Sequence, residues 1–200
     1  MSPNPLRIAP VTLTGRHVEL VPLSIDHLDG LTAAVADGEL WKLWYTNIPE
    51  PAEMQAEIAR RLALKDAGAM LPFTVIAPGG TIVGMTTYMN VDAATPRVEI
   101  GSTWYANSVQ RSGLNTEAKL LLLGHAFDTL GCPAVEIRTH ALNQQSRRAI
   151  ERLGAKLDGI LRSHSRTKNG VLRDTCVYSI TAVEWPAVEV NLRWKLEKHG

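Results

Sequence analysis

Gln110-Arg111-Ser112-Gly113-Leu114-Asn115-Thr116 separates two runs of different period. Before it, Val98 to Tyr105 is an apolar, strand-like run. After it, Thr116 to Leu130 is leucine-rich and helical, with Leu120, Leu121, Leu122, Leu123, Ala126, Phe127 and Leu130. A glycine-containing turn between a strand and a helix start points several backbone N–H groups one way. The first N–H groups of a helix have no intrahelical partner, and the helix dipole is positive there. Such a turn suits an anion, most often phosphate. The same residues also suit a plain tight turn that lets the helix pack on a sheet. No Gly-Lys-Ser/Thr follows, so this is not a P-loop. With Gly113 alone it is not the three-glycine dinucleotide fingerprint. A short loop around a compact diphosphate remains.

Outward from the loop, the strand starts at Arg97. Upstream, His17 to Val21 reads as a strand closed by Pro22, and Asp26 as the cap of a helix running to about Ala36. Pro49 and Pro51 introduce a helix over 52–67 with Met54, Ile58, Leu62 and Ala63 at helical spacing. Phe73–Ala77 and Thr81–Tyr88 read as strands around Pro78-Gly79-Gly80, a hairpin signal. Downstream come a strand at Ala134–Thr139, a helix at Gln144–Leu153 capped by Asn143 and ended by Gly154, and strands near Gly159–His164 and Arg173–Ile180. Trp185-Pro186 opens a last helix. Mixed helices and strands with one strand–helix–strand crossover imply an α/β (α+β) fold. Its sheet is partly antiparallel, with the two crossover strands parallel.

The chain has 200 residues, 45% hydrophobic and 20% charged, which is ordinary globular composition. The expectation is a single domain over 1–200, with a core at about 11–182 and a C-terminal helix at about 185–198. A net charge of +1 without like-charge blocks gives no support to a nucleic-acid or membrane-surface partner. No run of eighteen apolar residues is present, and the start, Met1 to Leu6, lacks the apolar core of an export signal. A cytoplasmic location and two reduced thiols, Cys132 and Cys176, are therefore expected. Neither cysteine has metal-ligand spacing, so no metal site is expected.

Gln110-x-x-Gly113-x-Asn115 between a strand and a long helix resembles the signature of the Gcn5-related N-acetyltransferase (GNAT) superfamily. There, glutamine or arginine is followed at fixed spacing by glycine and then by glycine or alanine. Asn115 departs from that third position. Asn143-x-x-Ser146 with Leu153-Gly154-Ala155, Glu99-Ile100-Gly101 and Asn115-Thr116-Glu117-Ala118 resemble the ribosomal-protein-alanine (RimJ/RimL-like) branch. The element order matches from about His17 to Ile180. The resemblance implies a mixed, mostly antiparallel sheet flanked by helices and splayed between its fourth and fifth predicted strands, Arg97–Tyr105 and Ala134–Thr139. It also implies acetyl-coenzyme A as co-substrate and an amine acceptor as the second partner.

On this resemblance the pyrophosphate sits on Gln110, Arg111, Ser112, Gly113, Leu114, Asn115 and Thr116. The backbone of Trp104, Tyr105 and Ala106 lies along the pantetheine arm, and Asn143 and Ser146 contact the cofactor's amide arm. An amine has a pKa of ~8 to ~10.4 and must lose a proton before it attacks a thioester. Glu99 is the candidate base, with a structural ion pair to Arg97 or Arg138 as the competing reading. By strand alternation Val98, Ile100 and Trp104 share one face, and Arg97, Glu99, Thr103 and Tyr105 the other. Ser146 is a candidate proton donor to the leaving thiolate, and Tyr178 a candidate acid or a packed core tyrosine. Trp41, Trp44 and Tyr45 form a candidate acceptor wall, against a core role for at least one tryptophan. His140 and His164 flank the site as candidate relays or as surface histidines. Cys132 and Cys176 have no part in a direct attack.

The expected function is acetyl transfer from acetyl-coenzyme A to a primary amine in a ternary complex. The acceptor is a protein or peptide N-terminus or an amino-acid-like small molecule. The alternatives are an aminoglycoside- or polyamine-type acetyltransferase and a non-catalytic acyl-coenzyme A sensor. The oligomeric state, homodimer included, is open.

Overall fold

A computed structural model describes residues 8–198; the segment read for an export signal falls within residues 1–7, which with residues 199–200 lie outside the described residues. The alternating runs assemble into one eight-stranded sheet in the order β1-β2-β3-β4-β5-β6-β8-β7. Its strands are β1 (Leu13–Thr14), β2 (Glu19–Pro22), β3 (Met70–Ile76), β4 (Ile82–Asp92), β5 (Arg97–Tyr105), β6 (Ala134–His140), β7 (Lys156–Arg166) and β8 (Leu172–Thr181). Neighbours are antiparallel except β5 and β6, the pair joined by the crossover helix. The expected mixed, mostly antiparallel sheet is what forms. β1 was not foreseen, since two residues carry no period to detect.

The helices are α1 (Leu28–Ala36), α2 (Met54–Asp66), α3 (Leu114–Gly124), α4 (Gln144–Leu153) and α5 (Trp185–Glu197). α1 is entered through a 3₁₀ turn whose cap is Ser24 rather than Asp26. The Ser24 hydroxyl accepts from the Asp26 N–H, and His27 Nδ1 accepts from the Ser24 N–H. α3 starts two residues earlier than expected and runs into a π turn at His125–Thr129.

Consecutive residues of a strand point to opposite faces, so Thr87 and Tyr88 assign the layers. Thr87 Oγ1 accepts from Arg61 of α2, 2.6 Å away, whereas the Tyr88 hydroxyl donates to the Leu122 carbonyl of α3. α2 therefore covers one face and α3 the other. α5 packs beyond α3, with Trp185 stacked on Phe127 and its indole N–H donating to Asp128. The leucine run of α3 is buried as its composition implied, but so are Glu117 and Lys119. The thiols of Cys132 and Cys176 are free and buried.

Two bulges break the alternation on which the face assignment rested. The β4–β5 register shifts between Met89 and Asp92 and again between Met85 and Thr87; Asn90 and Ser102 each take φ of 49°. Trp104 therefore pairs with Met85, and Gly101 with Thr87, on the α1/α2 face. Glu99, opposite Met89, lies on that face as well. The expected grouping of Trp104 with Val98 and Ile100 is corrected: the extra residue at Ser102 moves Trp104 to the face of Glu99. Thr103 and Tyr105 move to the α3 side.

Gly84 lets the ends of β4 and β5 close together. A Cβ there would sit 2.2 Å from the Trp104 carbonyl oxygen and 3.0 Å from Tyr105 Cα, both backbone atoms. Gly84→Ala is expected to lower stability by about 2–3 kcal/mol, in the range for overpacked sites. Thermal unfolding measures it, and an unchanged midpoint would refute the packing argument.

Candidate active site at a fork between two parallel strands

Among the described residues β5 and β6 pair only at Arg97–Ala134, Val98–Val135 and Glu99–Glu136. β6 stays with β8 along its whole length, to His140 opposite Thr175. β5 instead follows β4 through the Ser102 bulge. Beyond Glu99 a gap opens between the strands, and among the described residues β5 has no strand neighbour on that side. Glu99 stands at the crotch.

The loop Gln110–Thr116 lies at the open end of β5. Its left-handed residue is Arg111, with φ of 61°, while Gly113 is right-handed and caps α3. The Ser112 hydroxyl donates to the Val109 carbonyl and accepts from the Leu114 N–H. The first helical bond runs from the Glu117 N–H to the Gly113 carbonyl. The N–H groups of Arg111, Ser112, Gly113, Asn115 and Thr116 therefore have no hydrogen-bond partner among the described residues. That row of free donors at a helix start fits an anion. Gln110 ties the loop to the strand, its side-chain amide donating to the Tyr105 carbonyl at 3.2 Å.

Glu117, a carboxylate in the first turn of α3, does not face this nest. It accepts from the backbone N–H groups of Arg16 and His17 in the β1–β2 turn. A Cβ at Gly15 would fall 2.4 Å from that carboxylate, so only glycine permits the approach. The clasp fastens the first hairpin to the helix behind the loop.

The end of β5 is used in part. The Ala106 N–H is bonded to the Val83 carbonyl of the β3–β4 hairpin, so Ala106 has no N–H for a ligand. Antiparallel alternation then turns the backbone of Tyr105 toward the gap. The Trp104 indole N–H and the Tyr105 hydroxyl are buried and have no partner among the described residues. Across the gap, Asn143 caps α4, its side-chain oxygen accepting from the Ser146 N–H at 3.0 Å. The Ser146 hydroxyl has no partner among the described residues.

Glu99 is 6% exposed. Its Oε2 accepts from Asn90 Nδ2 at 2.7 Å and lies 3.4 Å from Arg138 Nε. Gly101 makes room beside it, since a Cβ there would meet Glu99 Oε1 at 2.9 Å. Burial raises the Glu99 pKa above the ordinary carboxylate value, opposed by Asn90 and Arg138. Of the two competing ion pairs, Arg97 goes to Glu136 and Arg138 binds chiefly Glu136 at 2.7 Å, with Glu99 as its longer contact.

Two of the aromatic candidates gather here. Trp44, Tyr45 and His140 form an edge-on cluster, with Trp44 and His140 centroids 5.2 Å apart. Trp41 packs on the core instead. His140 is corrected from a surface residue to a buried one, 4% exposed. Tyr178 is corrected as well. It lies opposite Ile137 on the α3 side of the sheet. Its hydroxyl donates to Glu151 and accepts from Arg147, both in α4, so it anchors α4 and does not join Glu99. His164 stays on the exposed hairpin, 3.2 Å from the Thr175 hydroxyl. Sequence reading passed over Arg173, which lies two residues along β8 from Thr175. Only the position of β8 beside β6 brings it to the site.

The chain belongs to the acetyltransferase (GNAT) domain family, whose model matches residues 17–156. It is 32% identical over 106 residues to a Bacillus subtilis (strain 168) protein provisionally named ribosomal N-acetyltransferase YdaF, a match spanning 53% of this chain and 57% of that relative's length. The crystal structure of a GCN5-related N-acetyltransferase from Brucella melitensis superposes with a TM-score of 0.85 at 32% identity, covering 98% of this chain and 89% of that one. Mycobacterium smegmatis RimJ in complex with CoA-disulfide is alike in fold, with a TM-score of 0.79 at 24% identity over 93% and 95% of the two chains. Among the described residues no helix is long and apolar enough to cross a membrane.

Proposed function

We propose that this chain transfers an acetyl group from acetyl-coenzyme A to a primary amine by direct attack. The observation that carries the reading is the fork, with a buried carboxylate at its crotch and a row of free N–H groups at its mouth. The N–H groups of Arg111, Ser112, Gly113, Asn115 and Thr116 would hold the pyrophosphate. The free edge of β5 at Tyr105 would lie along the pantetheine arm, with Asn143 and Ser146 facing it across the gap. When bound, the coenzyme supplies a thioester that an amine can attack.

The protein's own groups do the rest. Glu99, its pKa raised by burial, takes the proton from the acceptor ammonium directly or through water. A backbone N–H on the free edge of β5 stabilises the charge that develops on the thioester oxygen. The Ser146 hydroxyl, which has no partner among the described residues, would donate to the leaving thiolate. Holding both reactants at the fork supplies much of the rate. The leading acceptor is a protein or peptide N-terminus or an amino-acid-like amine; the CoA-bound RimJ relative supports the donor half by fold alone.

A thiol-release assay against amino acids, peptides, polyamines and aminoglycosides tests the reading. Turnover with none of them, together with intact coenzyme binding, would favour an acyl-coenzyme A sensor. The loop has its own test. Asn115→Asp places a negative charge beside the anion nest and is expected to weaken acetyl-coenzyme A binding on the order of tenfold. Asn115→Ala should leave it nearly unchanged. Equal affinities for the two variants by calorimetry would remove the pyrophosphate from this loop.

A further inference from the structure

The acceptor side of the fork holds two polar groups that the transfer chemistry does not use. His140 Nδ1 accepts from the Leu142 N–H at 3.0 Å. Burial, with the nearby Arg173 charge, holds its pKa below the usual value, so at neutral pH the ring is neutral and its proton is on Nε2. Nε2 is buried and has no partner among the described residues. Arg173, half-buried on β8, forms no ion pair or hydrogen bond among the described residues, and its Nε is buried and unpartnered.

A buried donor left unpaired is destabilising, and two in one place call for a common partner. The neighbouring acids do not serve. Asp174 is taken by Arg162 and the Ser163 N–H, and Glu136 by Arg97 and Arg138. Glu99 acts on Arg173 through space without bonding it. The acceptor side therefore presents a carboxylate and, apart from it, a free guanidinium. Trp44 and Tyr45 pack edge-on against His140, and the Lys168 ammonium of the β7–β8 hairpin donates to the Ile48 carbonyl at 2.9 Å.

We propose that the acceptor carries a carboxylate near its amine, bound by the Arg173 guanidinium and the His140 Nε2–H while the ammonium meets Glu99. This rests on the amine-acetylation reading and narrows it. An α-amino acid has that charge pair, and so does a peptide beginning with Asp or Glu. A polycationic amine has the wrong sign for Arg173.

The experiment compares kcat/KM for free amino acids with their carboxamides, and for peptide amides beginning with Asp or Glu with those beginning with Asn or Gln. At least one carboxylate series is expected to exceed its neutral partner by tenfold or more, chiefly through KM, and the series that does so identifies the source. Arg173→Met should bring that ratio to about one, while Arg173→Lys keeps part of it. A wild-type ratio near one, with neutral amines turned over well, overturns this inference and leaves acetyl transfer standing. A ratio that survives in folded Arg173→Met overturns the role of Arg173 and the proposal with it. Turnover of no amine overturns both readings. The wild-type ratio decides the matter even if the variants do not fold.

Discussion

Replacing Glu99 by Gln is expected to lower kcat/KM for the amine by about 10²- to 10⁴-fold, the range for loss of a general base. Acetyl-coenzyme A affinity should stay within about twofold of the parent, since Glu99 lies at the crotch of the fork and the anion nest at its mouth. The swap is close to isosteric and Gln can still pair with Asn90, so the fold should persist. The pH profile adds a second readout. Burial raises the Glu99 pKa from 4.5, so wild-type kcat/KM should rise with pH along an acid limb centred above the ordinary carboxylate value. In the variant that limb should be absent, leaving only the ionisation of the amine. A variant that retains full activity with an unchanged profile would leave the charge at Glu99 with a structural role only.

Lys119→Met should produce the largest change in stability. Lys119 is buried on α3, and its ammonium donates to Thr103 Oγ1 at 2.9 Å with no carboxylate paired to it among the described residues. Burial lowers its pKa from 10.5 to about 7. Between those values the unfolded chain holds a proton that the folded chain has released, so wild-type stability rises with pH across that window. Below about pH 7 both states are protonated, and the folded state bears the full cost of a buried charge. At 1.36 kcal/mol per pH unit, the Lys119 contribution to stability rises by about 3 kcal/mol between pH 7 and pH 9.5. Methionine fills similar volume without the charge. Urea unfolding should show the variant several kcal/mol more stable near pH 6.5, with an advantage that shrinks as pH rises. Parallel stability curves for the two proteins would mean that Lys119 keeps its charge with a partner.

The two charged residues buried on α3 mark where sequence reading stopped. The loop, the helix after it and the order of elements were legible because they depend on period, glycine and chain order. Glu117 and Lys119 sit in a leucine-rich helix where a charge reads as a solvent position. Only the approach of Gly15, across about a hundred residues of chain, shows what Glu117 holds. Neither bulged residue, Asn90 or Ser102, is itself a glycine or proline; Gly101 beside Ser102 is the local signal of a bulge, and the face assignment of β5 failed because strict alternation was carried past it. Tyr178 was readable as a core position, but its hydroxyl partners on α4 were not. His140 and Arg173 became site residues through the register of β6 with β8, which no local pattern encodes. Glu99 was found because it lies in the same strand that leads into the loop.

The divergence of β5 from β6 makes the sheet a partition with a slit in it. The loop of free N–H groups belongs to the α3 side, while Glu99, His140 and Trp44 belong to the side of α1 and α2. On the proposed reading, donor and acceptor arrive through separate doors and meet only across the width of a missing strand pairing. Neither has to leave before the other can enter, and the acetyl group alone needs to cross. The enzyme would then have no built-in order of arrival, and the identity of the acceptor could change on one side of the partition without redesign of the other.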